Sequence, residues 1–185
     1  MLSASGPLVL DAPSEERTIL LVPLGEASVA LTAGERAAST AELQGRNVVL
    51  ADLTRLNGKP RPQLSGGEQV DDGGVSAAMD LVPASPPAEG GHPVFRPSGT
   101  LTPLHLRGAI HDLEQRFGQV IGVLPSLEHP ATIALLGPGR SAVLVVPAGA
   151  IDREELNEAV REVSRMGARP AGVVLYPAGS NGRIF

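Results

Sequence analysis

The most regular feature of the chain is a series of short apolar runs that end in glycine, proline, tyrosine or an acidic residue. Continuous hydrophobic runs of this length are typical of strands that are buried on both faces of a parallel sheet. We predict five core strands, at residues 18–25, 47–52, 119–125, 141–147 and 171–176.

Helical patterns occupy the intervals between these runs. Gly45 follows an alanine-rich segment as a helix-ending glycine would, Thr102 is a candidate N-cap, and Asp152 precedes an amphipathic segment that is acidic at its start and basic at its end. Strands that alternate with helices favour a three-layer α/β sandwich with a mostly parallel sheet. We predict helices at residues 26–44, 102–117, 128–136 and 152–166.

Residues 57–101 interrupt the alternation, because they are rich in Gly, Pro, Ser and Asp and contain only brief apolar pieces. We predict a long irregular connection there, partly ordered by a short helix and a short strand. Structureless connections of this length inside a domain are usually functional or mobile. Residues 1–17 lack a pattern and are predicted to be a tail or an edge segment, which leaves a single α/β domain at residues 18–180.

The amino-acid composition excludes several classes of protein function. The 185 residues are 42% hydrophobic but only 2% aromatic, so aliphatic side chains must fill the core. The net charge of -5 disfavours nucleic acid, which is bound by clustered Lys and Arg. The absence of cysteine excludes disulfides and thiolate metal sites, and the chain lacks an apolar run long enough to span a membrane. We therefore expect a cytoplasmic protein that does not insert into the membrane directly.

The order of several short segments resembles one known family. These segments are Leu-Glu-Gln-Arg-Phe-Gly at residues 113–118, Ala-Gly at 148–149, Asp-Arg-Glu-Glu-Leu at 152–156, Met-Gly-Ala at 166–168 and Gly-Val-Val-Leu at 172–175. Together they resemble the cytoplasmic tyrosine-kinase domains of bacterial polysaccharide export systems, which belong with the MinD and ParA group of deviant P-loop ATPases. The resemblance runs from Thr18 to Tyr176 and implies a P-loop NTPase-like fold.

The family's chemistry requires a glycine-rich loop that wraps the phosphates, a lysine on the β/γ oxygens and a hydroxyl on Mg²⁺. The matching stretch here contains no lysine and retains one glycine, Gly25. Ala30 falls near the lysine position, and Glu26 would face phosphate with like charge. Thr32 falls where the metal-binding hydroxyl belongs, but without the lysine we expect it to be an ordinary residue of the helix.

The family's acidic residues are also altered. Its Asp-x-Asp pair after the second strand matches Asp52 and Thr54, so one carboxylate survives. The aspartate expected at the end of the third core strand is replaced by Val123, two residues before Pro125, and an apolar side chain cannot hold Mg²⁺. The asparagine that contacts adenine in the family is replaced by Tyr176. We therefore expect no nucleotide cofactor, no metal and no catalytic residue.

Three functional hypotheses follow. The first is a non-catalytic regulatory or scaffolding protein in exopolysaccharide or capsule biosynthesis and export. Its protein partner would be a homologous subunit or the cytoplasmic part of a polysaccharide co-polymerase. Binding to such a partner would place the protein beside the inner membrane. Self-association is also compatible with this hypothesis. The second is a ligand-binding protein or enzyme whose site lies in the crevice at the carboxyl ends of the strands, lined by Gly25, Asp52, Pro125 and Tyr176. The third is a degenerate MinD- or ParA-like positioning factor.

Overall fold

A computed structural model describes residues 17–56, 91–97, 102–149 and 151–176. Within these ranges, six strands and four helices follow one another along the chain. The strands are β1 (Thr18–Pro23), β2 (Val48–Asp52), β3 (Val94–Phe95), β4 (Gln119–Val123), β5 (Ser141–Pro147) and β6 (Arg169–Tyr176). The helices are α1 (Ala27–Leu43), α2 (Pro103–Arg116), α3 (Pro130–Leu135) and α4 (Arg153–Arg165).

The six strands form one parallel sheet in the order β3-β2-β4-β1-β5-β6. Four of the five predicted apolar runs contain a strand, and the run at 171–176 lies within β6, which confirms the predicted α/β class. The prediction that this last run is a core strand is wrong, because β6 is an edge strand and most of its residues, Val173 and Leu175 among them, are exposed. All residues of β1, β2 and β4 are buried, as expected for strands covered on both faces. The sheet therefore brings the carboxyl ends of its strands to one edge.

Helices cover both faces of the sheet. Helix α1 packs its alanines against one face, on which Ile19, Leu21 and Val123 lie. Helices α2, α3 and α4 pack against the other face, on which Leu20, Val22 and Leu144 lie. These layers give the predicted three-layer sandwich.

The predicted helix ends are confirmed by their hydrogen bonds. The Thr102 hydroxyl accepts from the His105 N–H at 3.3 Å, and the Asp152 carboxylate accepts from the Glu154 and Glu155 N–H groups at 2.8 Å. After α1, the Gly45 N–H donates to Glu42 and the Arg46 N–H to Ala41, which satisfies the last carbonyls of the helix.

The predicted irregular connection at 57–101 lies largely outside the described residues, as do the predicted tail at 1–17 except Arg17 and the residues after Tyr176. Near the end of the connection, Val94 and Phe95 form β3, an edge strand that pairs with β2 through Leu50 and Ala51. Phe95 is buried in the core. Within the described residues, no helix is long and apolar enough to cross a membrane.

Candidate functional site

The connection between β1 and α1, which the sequence predicts to correspond to the phosphate-binding loop, is three residues long. Leu24, Gly25 and Glu26 lie between the strand end at Pro23 and the helix start at Ala27. The Leu24 N–H donates to the Val145 carbonyl at 2.9 Å, so the connection begins as an extension of the sheet. A Cβ atom at Gly25 would lie 3.0 Å from Pro147 Cγ, so the glycine allows a close approach to β5.

Glu26 places a carboxylate of the chain itself at the amino end of α1. It is the N-cap residue, but its side chain caps no backbone N–H. Its Oε2 instead accepts from the Ser28 hydroxyl at 3.3 Å. The amino end of a helix attracts anions because its N–H groups are unpaired and its dipole is positive there. A negative side chain at this end repels a phosphate that would otherwise approach.

Ala30 and Thr32, at the positions expected for the lysine and the metal-binding hydroxyl, both lie inside α1. Ala30 is fully buried against the sheet in the core that α1 forms. Thr32 is exposed, and its hydroxyl donates to the Ser28 carbonyl one turn earlier, at 3.1 Å. This backbone bond is the usual partner of a threonine within a helix.

Asp52 ends β2 and is buried, with 2% of its side chain exposed. Its Oδ1 accepts from the Thr54 hydroxyl at 2.7 Å and from the Thr54 N–H at 3.2 Å. Its Oδ2 accepts from Arg96 Nε at 3.1 Å, which forms an ion pair. Arg96 follows β3 and lies 44 residues after Asp52 in the chain, and it was not among the predicted site residues. Both oxygens of the surviving carboxylate are therefore bound by the protein.

Val123 ends β4 beside Asp52, its register partner on β2. It is fully buried, and its side chain lies under α1 against Gly34. The two positions that follow Val123 are also enclosed, since Leu124 is fully buried and Pro125 is half-buried. The position expected to hold metal-bound water in the family is thus part of the apolar core.

Tyr176, which was predicted to replace the adenine-contacting asparagine, is buried at the end of β6 and packs with the core under α1. The Arg36 guanidinium lies 5.7 Å from the centre of its ring, within cation–π range. Burial raises the pKa of the Tyr176 hydroxyl above its usual value, an effect that the Arg36 charge and hydrogen bond oppose and the Glu35 carboxylate reinforces. The ring and the guanidinium therefore stabilise each other.

The sheet edge thus brings Asp52 and Val123 together, while Gly25 packs on β5 and Tyr176 on α1. Among the described residues, no group of three or more acidic or histidine side chains could hold a metal ion. A groove beside this edge is lined by Leu24 and by residues of α3 and α4, but not by Gly25, Asp52, Pro125 or Tyr176. The residues that were predicted to line a ligand crevice therefore do not line this groove.

No protein-family model and no curated protein sequence matches the chain. Solved structures match it closely in fold and weakly in sequence. The VpsO kinase domain has a TM-score of 0.62 at 18% identity, with 90% of this chain and 87% of that chain covered. The kinase domain of the Escherichia coli tyrosine kinase ETK has a TM-score of 0.62 at 15% identity, with 92% and 72% covered.

A third match is the BceF tyrosine kinase domain, with a TM-score of 0.57 at 20% identity and coverage of 87% of this chain and 69% of that chain. At sequence identities of 15–20%, these matches show that the folds are similar. These matches agree with the resemblance predicted from the order of short sequence segments. The chain therefore has the P-loop kinase-like α/β fold of the bacterial tyrosine-kinase domains.

Proposed function

We propose that the chain is a non-catalytic member of this fold that regulates or scaffolds bacterial exopolysaccharide or capsule biosynthesis and export by binding a protein partner. The observation that carries the proposal is the three-residue connection between β1 and α1. A phosphate-wrapping loop needs several consecutive N–H groups directed at the nucleotide and a lysine beside them. Here the helix begins at Ala27, and Ala30, which the resemblance matches to the lysine, is buried.

The electrostatics of the same edge support this proposal. Phosphoryl transfer depends on positioned positive charge and on a metal ion that neutralises the developing negative charge. The connection presents the Glu26 carboxylate instead, and the Asp52 carboxylate is already bound by Arg96 and Thr54. Val123 offers no ligand to a metal. The residues at this edge are thus suited to hold the fold together.

The polysaccharide setting rests on the resemblance to tyrosine-kinase domains of export systems. In that setting the partner is a homologous kinase subunit or the cytoplasmic part of a polysaccharide co-polymerase, and the protein acts in the cytoplasm beside the inner membrane. The role requires a stable domain with an exposed binding surface. It requires neither nucleotide nor metal.

A thermal-shift titration with ATP and Mg²⁺ tests the proposal, with an active kinase domain of the same fold as the positive control. A ligand that binds only the folded state stabilises it by about 2.7 kcal/mol at 100 times its Kd. We expect no shift of the melting temperature at millimolar ATP for this chain and a clear shift for the control. A saturable shift, or ATP hydrolysis at the rate of the control, would refute the proposal.

A further inference from the structure

A groove with a volume of about 750 Å³ runs between α3 and α4 at the carboxyl end of β1. Apolar side chains contribute much of its lining, among them Leu24, Leu127, Ile133 and Met166. Half of the surface of Ile133 is exposed, which is unusual for an isoleucine on a helix of this domain. A concave apolar surface left open in this way marks a site of contact with another molecule.

All charged side chains that line the groove are negative. Glu128 follows β4, and Glu155, Glu158 and Glu162 lie along α4. Only Glu162 has an ion-pair partner within the described part of the chain, the largely exposed Arg165 on its own helix. The groove therefore has an apolar surface and a net negative charge.

The spacing of the carboxylates indicates an elongated occupant. Glu155, Glu158 and Glu162 lie at positions i, i+3 and i+7 of α4 and share one side of the helix. They extend over about 10 Å along its axis, at 1.5 Å per residue. In the described residues, no acidic cluster converges tightly enough to hold one metal ion. The three carboxylates are therefore placed to pair with several separate cations in a row.

We propose that this groove binds an amphipathic basic helix of a protein partner. Its apolar side chains would contact Leu24, Ile133 and Met166, and its Lys and Arg side chains would pair with the glutamates. Apolar anchors at helical spacing are the usual way in which a helix occupies a groove. A nucleic acid or an anionic membrane would be repelled by these carboxylates. This inference rests on the proposed function, since it names the surface by which that partner would bind.

The test uses the full chain and a fluorescent synthetic peptide of about 16 residues, with Leu and Lys arranged on opposite faces of a helix. Binding is followed by anisotropy at about 0.15 M salt, where distant charges are screened. We expect E155Q/E158Q/E162Q to weaken binding about tenfold. The matched control E35Q/E42Q/E154Q removes three negative charges outside the groove and should leave the Kd unchanged. Circular dichroism verifies that both variants are folded.

A second pair of variants tests the apolar contacts. Ile133→Ser removes a half-exposed side chain from the groove, whereas Leu43→Ser removes a 90% exposed leucine at the end of α1. We expect weaker peptide binding for the first variant only. This pair does not depend on the charge of the protein, so it separates groove binding from general electrostatic attraction.

Several outcomes would overturn the inference: no binding of the peptide, equal weakening by the two charge variants, or equal affinity for a peptide of the same composition with scrambled order. Displacement of the peptide by spermidine at a similar concentration would assign the groove to small polyamines and overturn it as well. None of these outcomes bears on the ATP titration. A failure of this inference is therefore distinguishable from a failure of the proposed loss of catalysis.

Discussion

The side chain of Val123 lies directly against Gly34 of α1: a Cβ atom at Gly34 would come within 2.6 Å of Val123 Cγ2. The same atom would lie 3.0 Å from Leu50 Cδ1. Helix α1 therefore packs on the end of β4 at the position where the sequence resemblance predicts the loss of an aspartate. The glycine and the valine together close this part of the sheet edge with apolar packing.

Gly34→Ala should therefore destabilise the domain, even though alanine favours helices. The propensity gain is about 1 kcal/mol, whereas overpacking a core costs about 1–3 kcal/mol. Gly108→Ala is the matched control, because Gly108 lies within α2 and a Cβ atom there would meet nothing within 4 Å. We expect urea denaturation to show a loss for the first variant and a gain of about 0.5–1 kcal/mol for the second. Equal gains would show that α1 is not held close to Val123.

Val123→Asp introduces the acidic residue that the resemblance predicts for this position and should destabilise the domain. The new carboxylate would be fully buried among apolar side chains, so we expect a loss of about 2–5 kcal/mol in the free energy of unfolding. Val123→Ala removes volume without adding a charge and should cost about 1–2.5 kcal/mol. Denaturant titration of both variants compares the two costs. Equal stability of the aspartate variant and the parent chain would mean that this position is open to water.

The ion pair between Arg96 and Asp52 should contribute more to stability than an ordinary surface pair. Arg96→Ala leaves the buried Asp52 carboxylate with Thr54 alone, and loss of a partner from a buried charge costs about 1–3 kcal/mol. Because 53% of the Arg96 side chain is exposed, we expect the lower part of that range. Arg165→Ala breaks the exposed pair with Glu162 and should change stability by less than about 0.5 kcal/mol. Similar losses for the two variants would contradict the assigned role of Asp52.

Much of the fold could be predicted from sequence because its determinants are local. Strands β1, β2 and β4 are buried along their whole length, so each is a continuous apolar run that needs no knowledge of its neighbours. The Thr102 and Asp152 caps bond to N–H groups two or three residues away and are likewise visible in sequence. Strand β3 could not be located, because two residues carry no periodicity.

The site depends on contacts between distant segments, which explains what sequence reasoning missed. Arg96 is one of 15 basic residues, and only the pairing of β3 with β2 brings it to Asp52. Gly34 looks like an ordinary helix glycine until α1 is packed on β4. Similarly, the glutamates of α4 have the pattern of a solvated helix face. Their position in a groove follows from the placement of Ile133 of α3 across from α4, which sequence does not reveal.

Tyr176 can be followed by absorbance without interference, because it is the single tyrosine of the chain and there is no tryptophan. Its phenolate absorption therefore reports one residue. Burial raises its pKa in the folded state, while unfolding returns it to about 10. The folded state holds the proton more tightly, so this group's stabilisation is complete below about pH 10 and is lost as the pH rises through the folded pKa.

Variants of the two neighbouring charges should move this pKa in opposite directions. Arg36→Gln removes the cation that lowers the pKa of Tyr176, so the absorbance titration should shift to higher pH. Glu35→Gln removes the carboxylate that raises it, so the titration should shift to lower pH. Both residues lie on α1, and each substitution leaves an uncharged polar side chain. Glu35→Gln keeps the size of the side chain, whereas Arg36→Gln shortens it. A titration unchanged by Arg36→Gln would contradict the position of the guanidinium over the ring.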